Sequence, residues 1–239
     1  MSPKPAPLKV FVAEDIKLSD VPPGMPAPTK QQVAEQLPPE EIERRQKIMV
    51  EYTRLTGRYC PPHNNKSRWV TPEDIPYVIA EGKDLVAMCK LPHGRYEGSE
   101  IAALAHSQIE EKNPLRFFVL PGGQVIINPV IASTTKTPVY KREGCLSFAD
   151  RAELEMVPRF GKITVTYQNL VTVDGNPEPK LSLPITETLS SHAAHVFSHE
   201  VGHLNGVNIY DEDYRPETCL FFNDGQEWSE QSITDLYKT

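Results

Sequence analysis

The stretch ETLSSHAAHVFSHEVGHLNG, residues 187–206, constrains this chain more than any other segment. Its apolar positions recur at helical spacing, no proline interrupts it, and Gly206 offers the usual stop. The pattern predicts one long helix of about 18 residues. Ahead of it lie runs that read as strands: LRFFVL (115–120), QVIINPVIA (124–132), VYKREGCLS (139–147) and KITVTYQNL (162–170). Pro121-Gly122-Gly123 joins the first two, and a further strand pair flanks Asp174-Gly175-Asn176. Helices early, sheet in the middle and one long helix late make an α+β chain.

The early helices are marked by their ends. Pro39 opens EEIERRQKIMVEYTRLTG, acids follow it at the positive end of the dipole, and Gly57 closes it. Thr71-Pro72 begins a second helix through DIPYVIAEGKDLVAMCK, with Gly82 as a point where it can break. SEIAALAHSQIEE after Gly98 is an apolar-rich segment leading toward the strands. Nine of the 23 prolines fall in the first 40 residues. Proline lacks an amide donor and resists helix and inner strand, so this arm is expected to be extended or irregular. It is either a tail or an element that docks on a partner such as the ribosome or another large assembly. The expected division is an extension over 1–65, a folded domain over 66–212 and a polar extension over 213–239.

A net charge of −7 argues against general nucleic-acid binding, which shows a basic surplus. No apolar run approaches the roughly 18 residues of a membrane span. The N-terminus lacks the apolar core of a secretory signal, so the expected location is cytoplasm or an organellar matrix such as the mitochondrial one. Cys60, Cys89, Cys145 and Cys219 show no framework spacing, which favours free thiols or a metal ligand over disulfides.

Within the late helix stands His199-Glu200-Val201-Gly202-His203. Histidines four apart share a helix face and can grip one divalent ion, with the intervening glutamate placed to handle a proton. A catalytic metal takes a third protein ligand and leaves a position for water. Ile209 occupies the place where one protease class carries a third imidazole, and an aliphatic group cannot ligate. Glu212 and Glu217 lie downstream, but Pro216 spoils the helix that would present them. Cys145 in Glu143-Gly144-Cys145-Leu146-Ser147 is the remaining candidate, as a thiolate is a strong ligand for zinc or iron. The competing reading of Cys145 is a buried small hydrophobe.

EGCLS followed by HEVGHLNG resembles the second and third motifs of the peptide deformylase family. VIINPVI (125–131) is similar to the strand that precedes the cysteine motif there, and Val157-Pro158-Arg159 to the segment after it. The resemblance covers roughly residues 75–212. It implies antiparallel β-sheets around a central metal-binding helix. It also implies one divalent metal on Cys145, His199 and His203, with Fe2+ the usual ion and Zn2+, Ni2+ or Co2+ able to replace it. The implied reaction is hydrolytic removal of formate from N-formylmethionyl peptides. Glu200 inherits the general-base role, and the oxyanion donors are the Leu146 N–H and the Gln108 amide. Substrate-binding positions by the same carry-over are Ala103, Gly144, His195 and Val196.

The first motif departs from the family's Gly-x-Gly-x-Ala-Ala-x-Gln. Here it reads Ile101-Ala102-Ala103-Leu104-Ala105-His106-Ser107-Gln108, so both glycines and the second alanine are replaced. Gly202 stands where an acid usually lies between the histidines. His195 brings an imidazole to a pocket that in the family receives the methionine side chain, whereas His192 reads as an exposed helix residue. These departures motivate an alternative: a deformylase-like protein that keeps the metal site but serves as a binding or assembly component.

Overall fold

In the computed structural model, the described residues are 65–90, 101–135, 137–148, 153–173 and 176–211. To these are added 16–17, 35–36, 214, 237 and the helical positions 39, 40, 43, 47 and 50. The rest of the proline-rich arm, the first helix's end at Gly57, the Asp174-Gly175 turn, Glu212, Glu217 and residues 215–236 lie outside the described residues.

In chain order the strands are β1 (Ile16–Lys17), β2 (Glu35–Gln36), β3 (Leu104–Ala105), β4 (Phe117–Val119), β5 (Val125–Thr134) and β6 (Pro138–Glu143). They continue as β7 (Glu153–Phe160), β8 (Lys162–Gln168), β9 (Leu170–Val173), β10 (Asn176–Leu181) and β11 (Ile185–Ser190). Among the described residues, the α-helices with both ends defined are α1 (Ile75–Cys89) and α2 (Ser191–Leu204). Among the described residues, these strands pair with one another antiparallel throughout. The main sheet has five strands in the order β11-β8-β5-β4-β3, and a second sheet has the order β1-β6-β7-β2. No described helix is long and apolar enough to cross a membrane.

Period-2 alternation explains the layering. Phe117, Val119 and Ile127 point to one face of the main sheet, where they pack with Val78, Leu85 and Met88 of α1. Phe118, Ile126 and Val165 point to the other, with Ala194, Phe197, Val201 and Leu204 of α2. Phe118 meets Phe197 edge to face at 5.2 Å. A helix on each face accounts for the nearly continuous burial of β5. It also places the histidine-bearing helix on the face of the main sheet opposite α1.

α1 follows a 3-10 turn, Pro72–Asp74, whose N-cap is Thr71. The Asp74 carboxylate accepts from the Thr71 N–H at 2.9 Å and from Arg68 at 2.7 and 2.8 Å. α1 runs unbroken through Gly82, so the break read from that glycine does not occur. A Cβ added there meets Val125 Cγ2 at 3.6 Å, an ordinary contact. Gly82→Ala is therefore expected to stabilise the fold by about 0.5–1 kcal/mol, read by chemical denaturation.

The late helix is shorter than its sequence pattern predicts. It has 14 residues and begins at Ser191, because Ile185–Ser190 pairs with β8 along its whole length. Thr186 and Thr166 join their hydroxyls across that pair at 2.9 Å, and the Tyr167 O–H donates to Glu187 at 2.7 Å. Ser191, at φ 53, turns the chain from strand to helix. At the far end Gly206 (φ 74) closes α2: its N–H donates to His203 O at 3.0 Å, and the Val207 N–H donates to Gly202 O at 2.9 Å. That paired closure is the motif that glycine in the left-handed region permits.

β1 and β2, the strand segments of the arm, border the β6–β7 hairpin. Ile16 and Lys17 lie opposite Tyr140 and Val139, and Glu35 and Gln36 opposite Leu154 and Glu153. The arm is extended at these points, and it covers both edges of the hairpin.

Candidate metal centre and active site

His199 and His203 project from one face of α2, with their Nε2 atoms 3.2 Å apart. β6 ends at Glu143, and the next turn carries Cys145, whose Sγ lies 3.2 Å from His203 Nε2. The ligand atoms of Cys145, His199 and His203 all fall within 4.8 Å of one another. A residue from 54 positions upstream has thus joined a helix-borne pair. Ile209, excluded as a ligand by its chemistry, is buried in the core.

Glu143 and Arg159 hold this arrangement from behind. Arg159, on β7 and 1% exposed, donates from Nε and Nη2 to the two Glu143 oxygens at 2.8 and 2.7 Å. Glu143 Oε2 in turn lies 2.9 Å from His199 Nδ1, fixing the ring so that Nε2 faces the centre. Tyr214 completes the set, hydrogen-bonding the Arg159 guanidinium through its hydroxyl while its ring lies under that group at 5.3 Å. The sequence motifs contain Glu143 and Arg159 but assign them no role. Glu143 stands two residues before Cys145 in its motif, and Arg159 closes the Val157-Pro158-Arg159 segment 14 residues after it.

Electrostatics follow from burial and charge pairing. Burial alone raises the Glu143 carboxyl, but the Arg159 charge and the bonds from Arg159 and His199 hold it well below the carboxylate range. Burial also opposes ionisation of Cys145, yet the His203 and His199 imidazoles bring the thiol well below its ordinary value. Against burial, Cys145 and Glu143 raise His199 to about 10. The centre therefore favours a thiolate, the ionisation state a metal requires.

Glu200 faces the opposite balance. It is 4% exposed, and burial outweighs its cationic neighbours and raises its carboxyl. Its Oε2 has no hydrogen-bond partner among the described residues. An orphaned buried carboxylate oxygen beside a two-nitrogen, one-sulfur donor set fits a bound divalent ion and its water.

Gln108 ends a 3-10 turn, His106–Gln108, that follows β3. Its Oε1 accepts from the Ala105 N–H at 2.9 Å, and its Nε2 donates to Ser147 Oγ at 3.1 Å. Gln108 is thereby tied to the turn Leu146–Phe148, which starts at the residue after Cys145. Ala103 and Cys145 belong to one core cluster, with Val196 packed against it, and Gly144 is half-buried. His195 is buried and held neutral, its pKa lowered to about 4 by desolvation. No hydrogen bond to its Nε2 exists among the described residues. His192 is exposed. His106, where the family carries alanine, is accommodated: Nδ1 accepts from the Leu115 N–H at 2.8 Å, and the ring stacks on Phe117 at 4.7 Å.

A helix-borne histidine pair joined by a strand-end cysteine defines a centre able to hold one divalent metal. A family model described as polypeptide deformylase matches residues 96–218, more than half of the chain, and the chain belongs to that family. It is 39% identical over 100 residues to a peptide deformylase of Thermotoga petrophila, covering 40% of this chain and 53% of that one. To one of Latilactobacillus sakei it is 30% identical over 127 residues, covering 49% and 63%. The chain thus spans about half the length of the first of these relatives. The crystal structure of peptide deformylase from Thermotoga maritima is 29% identical, with a TM-score of 0.46, over 61% of this chain and 86% of that one.

Removing the support of His199 has a measurable consequence. Glu143→Gln leaves the Arg159 charge buried without its carboxylate and loosens the His199 ring. Metal affinity is expected to fall roughly 10- to 100-fold, with a stability loss of about 3 kcal/mol. Competition with a chelator and chemical denaturation check the two parts separately.

Proposed function

We propose that this chain is a metal-dependent hydrolase that removes the N-formyl group from N-formylmethionyl peptides. The observation that carries the reading is the convergence of Cys145, His199 and His203 with a buried Glu200 whose Oε2 has no partner among the described residues. The donor set suits ferrous iron, zinc, nickel or cobalt, and the family resemblance assigns ferrous iron. Bound there, the ion supplies an acidified water and polarises the formyl carbonyl.

The chain's own groups do the rest. Glu200 takes a proton at its carboxylate and returns it to the departing amine nitrogen. Arg159 and Glu143 keep the His199 ring oriented. The Gln108 amide has two N–H bonds. Its Oε1 is held by the Ala105 N–H and one N–H is given to Ser147, which leaves the second to donate to charge developing on the formyl oxygen. The Leu146 N–H is the other donor. Ala103, Gly144, His195 and Val196 line the substrate's path in this reading.

The same reading takes residues 66–212 as the catalytic domain, with extensions before and after it. Two grounds favour catalysis over a purely binding role. His106 is satisfied within the fold, and β1 and β2 of the arm pair with the chain's own sheet. The deciding experiment uses protein purified without oxygen: bound metal is measured, then formate release from formyl-Met-Ala-Ser, with Glu200→Ala as control. Full metal occupancy with no release above the control overturns the catalytic reading and leaves the binding one.

A further inference from the structure

The C-terminal end of α2 is held by a buried arginine. Arg116 precedes β4 and is 3% exposed. Its Nη1 donates to Asn205 Oδ1 at 3.0 Å and to Leu204 O at 3.4 Å, and its Nε donates to Pro129 O at 3.0 Å. Leu204 directly follows the metal ligand His203, and its carbonyl also accepts from the Ser67 N–H at 2.9 Å. A cation at a helix C-terminus is favourably placed against the helix dipole. Burial lowers this guanidinium only to about 10, so it stays charged at neutral pH.

The other end of the same network is Tyr237, two residues before the last residue of the sequence. Between Ile127 and Val130 the β5–β8 register shifts by one residue, with Asn128 at φ 52 and Pro129 unable to donate to the ladder. The Tyr237 hydroxyl lies 2.7 Å from Asn128 O and 2.9 Å from Thr166 O, so one O–H is shared between carbonyls of both strands. Successive carbonyls of the bulge are thus held by different groups, Asn128 O by Tyr237 and Pro129 O by Arg116. Trp69 joins the two holders, its ring 5.3 Å from that of Tyr237 and 5.9 Å from the Arg116 guanidinium.

We propose that Arg116 and Tyr237 are positioning residues for the metal centre: Arg116 anchors α2 one residue beyond His203, and Tyr237 locks the bulge on which Arg116 rests. Tyr237 thereby supports the ligand geometry through the β5–β8 bulge. The effect on His203 is direct, because a shift of the Leu204 carbonyl turns the last helical turn and its imidazole with it. This inference rests on the metal-site reading of Cys145, His199 and His203.

The test uses the full chain loaded with Co2+, whose visible spectrum reports coordination and whose thiolate charge-transfer band reports Cys145. Arg116→Met is expected to raise the Co2+ dissociation constant roughly 10- to 100-fold, the range for groups that orient ligands. Tyr237→Phe keeps the ring on Trp69 and loses only the O–H. It is expected to raise that constant severalfold and to shift the d–d bands in the same direction. Arg116→Lys retains the charge and is expected to fall between wild type and Arg116→Met. Val78→Ala, a truncation in the α1 core, is the control for lost stability and is expected to leave the spectrum unchanged. Wild-type spectra and affinity in Arg116→Lys and Tyr237→Phe overturn the inference, as does an equal shift in Val78→Ala. A wild-type chain without the thiolate band overturns the metal-site reading itself.

Discussion

Glu200→Ala is expected to lower formate release from formyl-Met-Ala-Ser by roughly 10²- to 10⁴-fold, the span general acid–base groups contribute, with metal content unchanged. Metal is retained because Glu200 is not among the three grouped ligand residues. The rate falls because this carboxylate alone combines burial, a raised pKa and an oxygen without a partner among the described residues. Glu143, by contrast, is held well below the carboxylate range and is bonded to Arg159 and His199. Glu200→Gln preserves volume and removes the titrating proton, so it should fall as far. Kinetics on protein of measured metal content decide the matter, and either variant keeping more than a tenth of wild-type kcat would sink the assignment.

The second large effect is expected at Gln108. Gln108→Leu should reduce kcat roughly 10²- to 10³-fold, about 3–4 kcal/mol of transition-state stabilisation, with a small change in KM. Because Oε1 also accepts from the Ala105 N–H, leucine loses a structural bond as well as a donor. Gln108→Glu separates the two, since a carboxylate keeps the acceptor and has no N–H to offer. A comparable loss of kcat in both variants identifies the amide protons as the active part. If Gln108→Glu stays near wild type, the residue's contribution is structural.

These expectations were legible to different degrees. The histidine pair, Glu200 and the closing Gly206 are local features, because four-residue spacing puts side chains on one helix face whatever surrounds them. The start of that helix was not local. Residues 187–190 carry a sequence able to continue a helix, but pairing with β8 took them into β11. Gly82 misled in the other direction: a glycine weakens an isolated helix, yet here α1 is held by burial against β4 and β5. His106 looked like a misfit by position, and only the Leu115 N–H and the Phe117 ring explain why an imidazole is accepted there.

Linear order alone determined the secondary-structure class, the helix-borne histidine pair and, by motif resemblance, the cysteine that joins it. Hydrophobic periodicity and glycine conformations act over a few residues, so they can be read from the chain. Three-dimensional packing decided which charged groups stand behind the ligands. Glu143 reaches His199 and Arg159 reaches Glu143 because β6 pairs antiparallel with β7, and β7 packs against α2. It likewise brought Arg116 to the end of α2 and Tyr237 to the β5 bulge, 109 residues from Asn128. Burial sets the remaining properties. The same carboxyl chemistry gives a lowered pKa at Glu143 and a raised one at Glu200, because only Glu143 has an arginine paired to it in the interior.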